Sequence, residues 1–311
     1  MQTSATYRKS LGFETFAHAP HATLEDLPPG ACAVFGVPDE PGPGRRAGTA
    51  LGPVAIRESV ALHLATYGDG EVVNLLTGLC SRLRSAPALR DLGDLAPALC
   101  GNDVVNRVVE ELVAELRRRS SCPVMLGGSP HSLAPFLRGM LKVDSSFRTL
   151  VISNSVEPLA RVVDINASLG YEPPAAFLLG PCGLQVIEHW DSTVRAGAKV
   201  VTAESMHTNE EVSLNMLAAW IEGDESPCCL VLDMQALDSG YASGTPQIDI
   251  GGMTPQQFIA ASQRLRSLPV LAGAAVFNCA PALDLRGHTE HLAAHGLVQA
   301  MASLLFEPVQ T

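Results

Sequence analysis

Several groups of residues in this 311-residue chain have the types and spacing to do chemistry. Gly127-Gly128-Ser129-Pro130-His131 offers a hydroxyl and an imidazole two residues apart, directly after the apolar run that ends at Leu126. A nucleophile elbow places its serine in such a strand–turn–helix setting, with a glycine two residues on so that the backbone turns sharply. Here His131 holds that glycine's place and Pro130 restricts Ser129 to extended geometry, which argues against a nucleophilic Ser129. His288, His291 and His295 follow one another at helical spacing, so all three share one face where imidazoles can ligate a metal. The plainer reading is a polar face against solvent or a neighbouring subunit. Asp233 and Asp238 bracket the end of an apolar run in Leu232-Asp-Met-Gln-Ala-Leu-Asp238. Such carboxylates either serve a site at a strand end or cap the following turn, and both readings stay open. The 8 cysteines, at positions 32, 80, 100, 122, 182, 228, 229 and 279, lack metal-ligand spacing and read as small buried hydrophobes in a reducing compartment. There is no GxGxxG after a strand, no GxxxxGK[ST], no HExxH and no basic stripe.

The elements that must position these residues follow from the apolar pattern. Strands are predicted at Ala31–Val37, Pro123–Leu126, Thr149–Ser153, Ala176–Leu179, Lys199–Thr202, Cys229–Leu232 and Ala274–Asn278. Helices are predicted at Pro53–Tyr67, Asn102–Arg119, Ser132–Leu141, Glu157–Leu169, Glu210–Ile221, Pro255–Arg266 and Thr289–Leu305. Strands alternating with helices imply βαβ units and a mostly parallel sheet, and unbroken apolar strands imply a sheet covered on both faces. The fold class is therefore α/β, a single-domain three-layer αβα sandwich. In such sheets sites form beyond the carboxyl ends of the strands. The composition agrees, with 47% hydrophobic and 17% charged residues, the latter below the roughly 25% usual for soluble domains. A net charge of −11 argues against nucleic-acid and anionic-membrane partners. With no apolar run of about 18 residues and no secretory leader pattern, the expectation is a cytoplasmic protein.

Read together, the landmarks resemble the ureohydrolases, the arginase and agmatinase superfamily. Gly36-Val-Pro, Arg45, Gly48 and Gly52-Pro53-x-x-Ile56-Arg57 are similar to that family's opening, and Asp91-Leu-Gly-Asp94 to its DxGD segment. Leu126-Gly-Gly-Ser-Pro-His-Ser132 resembles LGGDHS with one residue inserted. Asp233-Met-Gln-Ala-Leu-Asp238, Gly244-Thr-Pro246 and Gly251-Gly-Met-Thr254 resemble DxDxxDP…GTPxxGGLT. Pro281-x-x-Asp284-x-x-Gly287-x-Thr289 resembles NPxxDxxGxT. The matches run in order from about residue 31 to 305, which implies an arginase-like fold over 31–311 behind an N-terminal extension over 1–30.

The resemblance also implies a chemistry and shows where this chain departs from it. In the family two divalent ions, manganese or sometimes nickel, are bridged by a hydroxide that attacks a guanidinium carbon. Their ligands are carboxylates and neutral imidazoles, since four positive charges need anionic compensation. The family's DAHxD corresponds here to Ser153-Asn-Ser155-Val-Glu157, so an Asp becomes Ser153, a His becomes Ser155, and Glu157 is one methylene longer. Of the DxD pair Asp233 remains and the second position is Gln235. His131 matches the first His ligand beside the inserted Pro130, and the acid that faces the substrate's cation corresponds to Asn278. The agmatinase-like His-Gly segment has no counterpart in Val162–Tyr171. No catalytic residue and no metal ligand are expected to function in this chain. The expected role is a non-catalytic subunit assembled with a catalytic ureohydrolase paralogue that carries the binuclear manganese or nickel. Such a hetero-oligomer, trimer- or hexamer-based, would resemble the bacterial metformin hydrolase type and would split a guanidine or biguanide into a urea-type product and an amine. Two alternatives remain open: a stand-alone arginase-like binding or regulatory pseudoenzyme, and a hydrolase with a remodelled mononuclear site on His131, Glu157 and Asp233.

Overall fold

The computed structural model describes residues 7–8, 14–68, 70–74, 78, 80–84, 88–95 and 102–309. Cys100, together with residues 1–6 and 9–13 of the expected extension, lies outside the described residues. Each expected strand forms, within a residue or so for most: β2 (Cys32–Val37), β6 (Cys122–Gly127), β7 (Arg148–Ile152), β8 (Ala176–Leu179), β9 (Lys199–Val201), β10 (Cys228–Asp233) and β11 (Leu271–Phe277), the last beginning three residues early. Two more belong to the same sheet, the two-residue β1 (Tyr7–Arg8) and β5 (Leu89–Leu95). Eight parallel strands run in the order β5-β2-β6-β11-β10-β7-β8-β9, and β1 adds antiparallel to the β5 edge.

Apolar residues alternate through the sheet to both faces, as the period-two geometry of a strand dictates. Val124 and Leu126 of β6 enter one core and Met125 the other; Leu230 and Leu232 of β10 enter the first and Val231 the second. The first core is completed by α1 (Gly52–Ala65), α6 (Ala203–Thr208), α7 (Glu210–Glu222), α8 (Pro255–Arg264) and α9 (His288–Ala300). The second is completed by α2 (Asn102–Arg118), α3 (Leu133–Leu141) and α4 (Glu157–Ser168). This is the three-layer αβα sandwich.

Some elements depart from the pattern read in the sequence. β5 carries Arg90, Asp91 and Asp94 among its leucines and glycine, and Asp91 is buried because Arg57 of α1 reaches it from the covering layer. α5 (Ile187–Arg195) and α6 lie in a stretch where no helix was expected. The last helix, expected to run unbroken from Thr289 to Leu305, ends at Ala300 and resumes as the short α10 (Ala302–Leu305). Its chain then closes a small antiparallel sheet in which β12 (Phe306–Pro308) pairs β4 (Cys80–Leu83), and β4 pairs β3 (Glu71–Val73). The carboxyl ends of β6, β11, β10 and β7 stand side by side at the middle of the large sheet, where the strand order departs from chain order. No helix among the described residues is long and apolar enough to cross a membrane.

Candidate functional site

Ser153 follows β7, Asp233 ends β10 and Asn278 follows β11, so three neighbouring parallel strands deliver these side chains to one point. Asp233 is buried and both of its oxygens are engaged. Oδ2 accepts from Ser153 Oγ at 2.8 Å, while Oδ1 accepts from Asn278 Nδ2 at 2.8 Å and from the Gln235 backbone N–H at 3.0 Å. Gln235 sits in the single 3-10 turn that Asp233 caps. Its Oε1 accepts from Asn278 Nδ2 at 2.7 Å and its Nε2 donates to Asp249 at 3.0 Å. Asn278 has a left-handed backbone, φ 62°, and its buried Oδ1 has no hydrogen-bond partner.

The electrostatics follow from neutral donors surrounding a buried acid. Burial pushes Asp233 up to about 6, against the lowering effect of the Asn278, Gln235 and Ser153 hydrogen bonds and the Arg45 charge. The Arg45 guanidinium comes in from the loop after β2 and donates to Gln235 Oε1 at 3.3 Å. A cavity of about 100 Å³ remains beside Asp233, lined by Arg45, Ser155, Glu157, Arg161 and Asn278 among others. Glu157 turns to Arg161 one turn along α4, with contacts of 2.5 and 3.1 Å. Burial opposes this carboxylate's charge, but Arg161 outweighs it and holds the group below its usual range.

His131 is exposed, lies outside the lining of that cavity, and rests against Gly42 of the loop after β2. The cause is local. Pro130 opens a three-residue 3-10 turn, and the Ser129 side chain caps it with φ −98° and ψ 165°, the extended geometry expected before proline. The Ser129 hydroxyl donates to Asp39 Oδ2 at 2.8 Å and its N–H to Asp39 Oδ1 at 2.7 Å, so the serine serves as a loop anchor. Asp238 staples a loop, accepting from Gly240 and Gly251 N–H at 2.8 and 2.7 Å, which decides for the turn-capping reading. The histidines at 288, 291 and 295 lie on α9 and take no part in the strand-end cluster. Sequence reasoning missed Asp39, Asp249 and Arg161 as neighbours of the site. Only Asp39 carried a signal, as an acid immediately behind Gly36-Val-Pro.

A binuclear manganese or nickel centre requires several carboxylates and imidazoles around four positive charges. Around this cavity Ser153, Ser155, Gln235 and Asn278 are neutral and weak ligands, Asp233 has both oxygens in use, and two arginines, Arg45 and Arg161, line the wall. Among the described residues no group of three or more His, Cys, Asp or Glu is arranged to hold a metal ion. The residues present do not fit the binuclear group.

The model of the arginase family matches residues 30–152 and 170–303 of the chain. The chain is similar to the mitochondrial guanidino acid hydrolase of Homo sapiens, 27% identical over 297 residues that cover 90% of this chain and 80% of that protein. It is also similar to the guanidinopropionase of Pseudomonas aeruginosa, 25% identical, covering 89% of this chain and 87% of the other. A solved structure, of a hypothetical agmatinase from Burkholderia thailandensis, shares the fold with a TM-score of 0.74 at 21% identity, covering 97% of this chain and 95% of that one.

Proposed function

The chain belongs to the arginase family, and from that premise we propose that it is a non-catalytic subunit of a heteromeric ureohydrolase. The observation that carries this reading is the closed hydrogen-bond shell of Asp233, in which Ser153, Gln235 and Asn278 occupy the oxygens that a metal would need. The partner is a catalytic paralogue with a full set of carboxylate and imidazole ligands, and it holds the two manganese or nickel ions. The substrate of the complex is a guanidine or biguanide, split into a urea-type product and an amine as in metformin hydrolase-type assemblies. The names of the guanidino acid hydrolase and guanidinopropionase relatives support a guanidino compound. Exposed apolar side chains near the strand ends support burial against a second chain: Leu184 on the loop before α5, and Tyr241, Ile248 and Ile250 on the loop before α8. These two loops adjoin: a Cβ added at Gly180 would lie 3.1 Å from Met253 Cε.

The test is coexpression with a ureohydrolase encoded beside this chain, followed by size-exclusion chromatography and elemental analysis. The expected result is a defined hetero-oligomer with metal only in the partner, and no stoichiometric manganese or nickel in this chain alone. Obligate interfaces typically bury above about 2,000 Å², so the complex should survive dilution. Close to two tightly held metals in the isolated chain, or a monodisperse homomer indifferent to the paralogue, overturns the proposal.

A further inference from the structure

The histidine spacing on α9 serves no part of the strand-end site; it faces α1 instead. His63 of α1 meets His291 with ring centroids 5.7 Å apart and His295 at 5.5 Å, both edge-on, with interplanar angles of 78° and 85°. In the turn just beyond α1, the Tyr67 hydroxyl lies 3.1 Å from His63 Nε2, and the Tyr67 ring packs edge-on at 6.0 Å against Phe306. His291 lies at the exposed rim of the cluster, and His288, in the first turn of α9, is exposed as well. His295 Nε2 is buried and has no hydrogen-bond partner.

The titratable and charged groups facing His295 are His63 from α1, His291 from its own helix, and Arg266 from the turn after α8; Tyr67, in the turn after α1, faces His63 and Arg266. Arg266 is itself held in place, donating to Gln299 at 3.2 Å and lying 5.4 Å over the Phe306 ring. A proton arriving on this cluster therefore meets two further imidazoles and a guanidinium. Burial, then the charges of His63, His291 and Arg266, push His295 down to about 4. Burial and His291 likewise lower His63. The rings pack well only while neutral.

Both helices that share this cluster begin at the rim of the strand-end site. Gly52 opens α1 so close to the Cys279 carbonyl that an added Cβ would come within 2.7 Å of it. At the start of α9, Thr289 donates its N–H to Asp284 at 2.6 Å and accepts at Oγ1 from the Gly244 N–H at 3.0 Å. Separation of α1 from α9 would therefore loosen the loops that follow β11 and β10.

We infer that His63 and His295, with His291 packed edge-on against His63, form an acid-triggered latch between α1 and α9: it holds the helices together while His63 and His295 are neutral and releases them, with the site's loops, when these two are protonated. The latch is closed at neutral pH and is strained as pH falls from the ordinary histidine value of 6.5 toward the value of about 4 at His295, where the opened chain takes up a proton that the closed one refuses.

The experiment follows imidazole titration by NMR in the full chain, alongside amide hydrogen exchange at pH 7.5 and pH 5.0 corrected for intrinsic rates. The expected result is a His295 that stays neutral well below pH 6, with protection across 52–65 and 288–300 falling at least tenfold on acidification. His295→Leu should keep that protection at pH 5.0, and His63→Phe gives a second, independent variant if the first fails to fold. A His295 that titrates as an exposed imidazole, or protection equally pH-dependent in wild type and in a folded variant, overturns the latch.

Discussion

Two buried acids, Asp91 inside β5 and Asp233 at the carboxyl end of β10, belong to the same sheet, yet their surroundings differ in kind. Asp91 accepts from Arg57 Nε at 2.8 Å and Nη2 at 3.1 Å, with the Phe16 and Gly93 N–H groups completing its shell. Asp94 takes the remaining Arg57 Nη1 at 2.6 Å. Burial alone would lower Arg57, but the two carboxylates outweigh it and push the guanidinium up. Asp233 receives amide and hydroxyl donors, with Arg45 only at the margin through Gln235, and burial wins. The comparison separates an acid met by an opposite charge from an acid met by neutral dipoles, where burial raises its affinity for a proton.

The harshest way to break this contrast is Arg57→Met. Two carboxylates would be left buried without compensation, and the expected loss is about 3–5 kcal/mol in urea unfolding. A loss below about 1 kcal/mol would mean that the backbone donors suffice and that the two acids are alike after all. A sharper, smaller probe is Asp233→Asn. The folded value of about 6 lies above the ordinary 3.8, so this acid's stabilising proton is fully present below 3.8 and lost as pH rises through about 6. Wild type should therefore lose roughly 1–2 kcal/mol between pH 5 and pH 8 that the variant keeps, read as the difference between the two unfolding curves at each pH. An identical pH slope in both proteins would refute the burial account. The smallest effect belongs to Glu157→Gln, which removes a half-exposed pair with Arg161. Thermal unfolding should register less than about 0.5 kcal/mol; a larger loss would bring Glu157 into the buried cluster.

The fold was legible where hydrophobic burial is its only cause. The strands from β6 to β11 read directly because both their faces are covered. β5 did not, because its apolar run is interrupted by acids whose partner, Arg57, is distant in sequence and supplied by tertiary packing. The site was legible to the level of position, since Ser153, Asp233, Gln235 and Asn278 meet as their strand ends imply. What those residues do to one another was not legible, because a hydrogen-bond shell depends on tenths of an ångström that spacing does not encode. The reach of Arg45, the turn of His131 toward Gly42, and the pairing of Gln235 with Asp249 are all loop geometry. The histidine face of α9 was visible from its spacing, while its counterpart His63 came from another helix.

The left-handed backbone of Asn278 gives this pocket a direction of travel. Asparagine and aspartate accept that conformation readily, whereas a β-branched side chain or the longer glutamate there works against a steric preference of roughly 1–2 kcal/mol. The acid that the ureohydrolase pattern places at this position could thus be written back into the gene without being welcomed by the chain. Its return would first require the backbone beyond β11 to re-form in the right-handed or extended region, and that stretch is tied by the Asn278 N–H to the Gly128 carbonyl. The pocket behaves as a ratchet: single substitutions at the surrounding positions change its ligands, but its handedness decides which of those changes can be undone.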